Sequence, residues 1–142
     1  IAREPLWRHL INYRCGTGHS VSFVGNVHEG PHSLRGTNSV LMRPGMVVTD
    51  EPGVYETDLV GVRIENELVC VHKADNQYGT FLGFEPLMFV PIATSPILPG
   101  VLDRDEIDWL NNYHRTVFTK LAPHLNDEER VWLAEKCAAI GC

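Results

Sequence analysis

The chain has no apolar run near the ~18 residues that a membrane-spanning helix needs, and no signal-peptide pattern at its start. It also lacks an excess of basic residues. Twelve Lys and Arg stand against eighteen Asp and Glu, giving a formal net charge of −6, which argues against nucleic acid or an anionic membrane as the main partner. None of its four cysteines, at 15, 70, 137 and 142, stands in a CxxC pair. Neither a zinc knuckle nor a disulfide framework is indicated, and reduced thiols in a cytoplasmic protein are expected. There is no initiating Met, and IAREPLWRHL reads as the middle of a helix, so the chain is expected to be part of a longer gene product.

What is present suits one domain with a real core: 142 residues, 44% hydrophobic and 21% charged. Leu6, His9, Leu10 and Tyr13 fall at helical spacing and predict a helix over residues 1–12. Alternation predicts strands at 19–24 and 62–71, and a third strand-like run occupies 81–92. Gly, Ser, Pro and Asn make 29–39 a loop, Arg43-Pro44-Gly45 a turn, and 91–100 a linker. Asp103 with Glu106, then Asn126 with Glu129, fit capping boxes. They open one helix that ends at Pro123 and a second over 130–139. The order is α+β with a mainly antiparallel sheet.

The chemistry lies in two stretches. CGTGHSVSFVGNVHEGP, residues 15–31, holds His19 and His28 in a glycine-rich setting. VVTDEPGVYETDLVGVRIENELV places strand-like runs on both sides of a turn near Asp58. In a hairpin centred there, facing residues have numbers summing to 116, which sets Glu51 opposite Glu65. Two facing carboxylates repel. Either water hides the cost on a solvated face carrying an Arg–Glu pair, or a hard divalent cation shares them. Arg63, on the same strand face as Glu65, is placed to orient a metal-binding carboxylate. Pro52 cannot donate to the ladder, so the strand must bulge or end there. Taken singly, His19 and His28 could equally be structural; His9, His32, His72, His114 and His124 have no supporting setting.

GTGH at 16–19, NVHEGP at 26–31, PGMVVTDEPG at 44–53 and VRIEN at 62–66 occur in an order that resembles the C-terminal half of the catalytic domain of aminopeptidase P, the Xaa-Pro aminopeptidase of the pita-bread metallopeptidases. FEPLMFVPI at 84–92 and EIDWLNNYH at 106–114 look like its C-terminal extension, an argument against methionine aminopeptidase, prolidase and creatinase. The resemblance implies half of a pita-bread fold, a curved antiparallel sheet with flanking helices, with a metal-site core over 1–92 and a helical extension over 93–142. It makes His19, Glu51 and Glu65 metal ligands, Glu51 also the residue that polarises the attacking water, His28 the substrate-side proton shuttle and Arg63 the partner that orients a ligand. It implies two divalent ions, manganese by preference with zinc or cobalt as alternatives. The substrate it implies is a peptide with proline at its second position. Apart from the resemblance, the apolar sheet edge and face that the other half of the fold would cover lead to the expectation of a homodimer.

Two departures from the pattern stand out. Cys15 replaces a histidine, and Ser20 and Ser22 replace glycines. The aspartate pair that the family adds to the site is not found ahead of Cys15, where Glu4 is the sole acid. The competing readings are therefore a prolidase-like dipeptidase and a non-catalytic pita-bread module that binds protein.

Overall fold

The computed structural model describes residues 2–141 and divides into two compact units, residues 1–88 and 89–142. Helix α1 is a single turn, Glu4–Trp7, opened by Pro5. The helix expected over 1–12 therefore stops early. Leu10 takes a left-handed φ of 58° and the Ile11 N–H returns to the Leu6 carbonyl, so Leu10 is 97% exposed while Tyr13 is buried. The two cannot share one helical face.

Strand β1 (Val47–Asp50) pairs with β4 (Asn66–Asn76), which pairs with β5 (Gly79–Pro86); all pairings are antiparallel. Strands β2 (Gly53–Glu56) and β3 (Val60–Arg63) form a separate hairpin. One register runs through both ladders. Val48 faces Leu68, Asp50 faces Asn66 and Gly53 faces Arg63, each pair summing to the expected 116. Between the ladders, 51–52 and 64–65 leave the sheet. The single strand expected over 62–71 is thus two strands, because Pro52 has no N–H to offer its opposite, Ile64.

The strand expected over 19–24 reduces to isolated bridges, His19 to Ser33 and Ser20 to Val48. Beyond them the Ser22 N–H bonds back to the Asn26 carbonyl and the chain turns, leaving Phe23 and Val24 exposed. β5 ends at Pro86, short of the expected 92. Val48 and Cys70 are completely covered and centre the core of this unit.

In the second unit, α2 (Arg104–Leu121) and α3 (Asp127–Lys136) each begin with a complete capping box, on Asp103 and Asn126. A 3-10 turn, Ala122–His124, joins them where Pro123 interrupts. Helix α3 starts three residues before the expected 130, directly after its cap. Tyr113, Val117 and Leu133 form the core, with Phe89 and Ile92 packed against it. His114, expected to be ordinary, is fully buried; its Nε2 accepts the Ile92 N–H at 3.1 Å. Cys15, Cys70 and Cys137 are free, and Cys142 lies outside the described residues.

Candidate metal centre

Residues 17–20 form the site's floor. They lie between β1 and the loop at 32–34, held by Thr49 N–H to the His19 carbonyl at 2.9 Å, Glu51 N–H to the Thr17 carbonyl at 2.7 Å and Leu34 N–H to the Gly18 carbonyl at 3.0 Å. Such close packing requires glycine at 18. A Cβ there would stand 1.8 Å from the Thr49 carbonyl oxygen.

This docking carries the His19 ring to Glu51. His19 Nε2 lies 2.9 Å from Glu51 Oε1. His19 Nδ1 donates to the Ser20 carbonyl at 3.0 Å, which turns Nε2 toward the carboxylate. The Thr49 hydroxyl donates to the same Oε1 at 2.8 Å and accepts the His19 N–H at 3.0 Å. Arg63 Nη1 donates to Glu51 Oε2 at 2.6 Å. Both side chains of the central pair are nearly covered, 15% exposed for His19 and 12% for Glu51, so charge brought to this pair is weakly screened. Partial desolvation opposes the charge on Arg63, while Tyr55 and Glu51 outweigh it and hold the guanidinium above its ordinary value. His28 is exposed, with its ring centroid 3.9 Å from that of His19.

The structure thus gathers His19, His28, Glu51 and Arg63. Glu65 is exposed, in the break between β3 and β4. Among the described residues, no group of three or more His, Cys, Asp and Glu side chains comes together that could hold a metal ion. The His19–Glu51 pair fits one edge of such a site. Two donors each about 2.1 Å from a shared cation and at right angles to one another stand about 3 Å apart, close to the observed separation. A histidine whose other ring nitrogen donates to a carbonyl is the usual form of a metal ligand.

Thr49 escaped the sequence reading; the signal available was a hydroxyl two residues before a candidate ligand, on the same strand face. The altered positions are also placed. The Cys15 thiol donates to the Gly53 carbonyl at 3.3 Å. Ser20 is buried, and its hydroxyl has no partner among the described residues.

The sequence model of metallopeptidase family M24 matches residues 1–72, and that of the C-terminal region of peptidase M24 matches 80–140. Aminopeptidase P2 of Arabidopsis thaliana is 46% identical over 87% of this chain and 18% of its own length. Aminopeptidase P1 of Lotus japonicus is 40% identical over 99% of this chain and 22% of its own. The crystal structure of X-prolyl aminopeptidase from Caenorhabditis elegans, described as a cytosolic enzyme with a di-nuclear active site, superposes with a TM-score of 0.83 at 38% identity. It covers 97% of this chain, which corresponds to 23% of the worm enzyme. The chain therefore spans about a fifth of the length of the relatives it matches, and it shares the fold of that part of the worm enzyme.

Proposed function

Because the chain belongs to metallopeptidase family M24, we propose that it supplies part of a dinuclear centre that removes an N-terminal residue preceding proline. The observation that carries this reading is the Glu51 carboxylate, which faces His19 Nε2 and is held at one oxygen by Thr49 and at the other by Arg63. The names of the relatives support the substrate class, a peptide with proline second.

In this reading His19, Glu51 and Glu65 hold two divalent ions, with manganese the preferred metal. The registers on either side, Asp50 with Asn66 and Gly53 with Arg63, support counting Glu65 with Glu51. Two such ions supply an acidified water and neutralise charge that develops on the scissile carbonyl. The protein does the rest. Thr49 and Arg63 fix the Glu51 carboxylate, so it meets the attacking water without reorganising. Exposed His28, beside His19, exchanges a proton with the peptide at the scissile bond. The setting is cytoplasmic in this reading, supported by the description of the worm enzyme as cytosolic. A homodimer belongs to the same reading.

A chimera tests it. The 142 residues replace the matching part of the worm enzyme, and cleavage of a proline-containing tripeptide is assayed. Turnover that disappears with Glu51→Gln while the fold persists is expected. A folded, metal-loaded chimera without turnover would overturn the peptidase reading in favour of a protein-binding module.

A further inference from the structure

We propose that Arg3, Arg14 and Arg35 form a binding site for an oxyanion, the phosphate or carboxylate group of a small ligand. The three guanidinium-bearing residues line one cavity of about 380 Å³ together with Leu34 and the segment Cys15–Thr17. No acidic side chain is in its wall.

The chain has carboxylates in surplus, with a formal charge of −6. Arg8, Arg63, Arg104 and Arg130 each hold one within 4 Å. Among the described residues, Arg3, Arg14 and Arg35 hold none. Three like charges around one concavity repel, and the repulsion is relieved by an anion between them. Guanidinium groups suit that anion because their paired N–H donors match the oxygens of a carboxylate or phosphate.

The site is organised before any ligand arrives. Arg3 lies over the Tyr13 ring at 3.8 Å and donates to Asn12 Oδ1 at 2.8 Å, to the Tyr13 carbonyl and to the Cys15 carbonyl at 3.0 Å. Three of its five donors are thereby used and two remain. Arg35 lies against Gly16, where a Cβ would stand 3.4 Å from its Nε. Arg14, exposed beside Cys15, completes the ring of charge.

The cavity shares its wall with the metal centre. Thr17 accepts the Glu51 N–H, and the Cys15 thiol donates to the Gly53 carbonyl. An anion bound here steadies the segment on which Glu51 rests without entering the centre itself. The inference does not depend on the peptidase reading.

Calorimetry of the 142-residue chain with inorganic phosphate tests it at low ionic strength. A parallel titration compares a tripeptide carrying a free terminal carboxylate with its amide. The double variant Arg14→Gln/Arg35→Gln changes two exposed side chains, and its circular dichroism should match the parent. It should bind the anion at least tenfold more weakly. Arg43→Gln, outside the cavity, should leave binding within twofold. Tighter phosphate assigns a phosphate-bearing ligand. Preference for the free tripeptide over its amide, lost in the double variant, assigns a peptide terminus. Binding of neither probe, equal binding by the double variant, or equal weakening by Arg43→Gln would overturn the site.

Discussion

His19 Nε2 and Glu51 Oε1 stand 2.9 Å apart, and one hydroxyl, that of Thr49, fixes both elements that carry them. Thr49 is buried, so removing its hydroxyl strands the His19 N–H and one Glu51 oxygen. Thr49→Val keeps the shape and deletes the two bonds. It should lower stability by about 1–3 kcal/mol, the cost of leaving buried polar groups unpaired, measured by urea unfolding. A variant as stable as the parent would mean that Thr49 does not hold the pair.

Gly18→Ala should be worse than its single added methyl suggests. The new Cβ would meet backbone, the Thr49 carbonyl oxygen at 1.8 Å, and no rotamer change relieves that. Residues 17–20 must lift from β1, with loss of the hydrogen bond that seats Glu51 on Thr17. The expected cost is about 3 kcal/mol or more, again read from unfolding curves. The perturbation should centre on the His19 and Glu51 resonances. Intact His19 resonances in a stable variant would show that the segment can shift cheaply.

Much of this site was legible in the sequence because hairpin register is arithmetic. A turn at Asp58 and two alternating runs fixed every facing pair from Val47–Val69 to Glu56–Val60. The capping boxes at Asp103 and Asn126 were legible for a similar reason, since one side chain and one backbone N–H three residues on decide them. What failed were the runs whose apolar residues do not pack. Phe23 and Val24 have strand propensity and lie in solvent, and Leu10 continues a helical pattern that its backbone abandons. Propensity cannot register which side chains find a core. Gly18 and Thr49 work through a contact between segments thirty residues apart, and no local pattern encodes it.

His114 sets a pH dependence in the helical unit. Burial pushes its pKa below the ordinary histidine value. A depressed folded pKa means that the unfolded chain takes up the proton first. The associated stability is present above about pH 6.5 and is lost as pH falls through the folded value. The stability difference between parent and His114→Gln should therefore narrow from pH 7.5 to pH 5 in thermal unfolding followed by circular dichroism. A difference independent of pH would show that His114 does not couple folding to protons.

The metal affinity of the isolated chain follows from its donors. His19 is neutral as a ligand, and Glu51 and Glu65 bring two negative charges against the four positive charges of two divalent ions. Glu65 is exposed, so binding a metal costs the ordering of its side chain. The 142-residue chain should therefore bind manganese weakly, one ion on the edge formed by His19 and Glu51, and should not cleave proline-containing tripeptides. Because Thr49 and Arg63 already orient Glu51, that edge is the organised part of the site, and Thr49→Val should weaken even this binding by about tenfold, the usual effect of removing a group that orients a ligand. Glu51→Gln should abolish it, since an amide is a poorer donor to a hard cation than a carboxylate. Calorimetric titration with manganese reads both effects. Tight uptake of two ions by the isolated chain, or uptake unaffected by Glu51→Gln, would place the metal elsewhere and remove Glu51 from the centre.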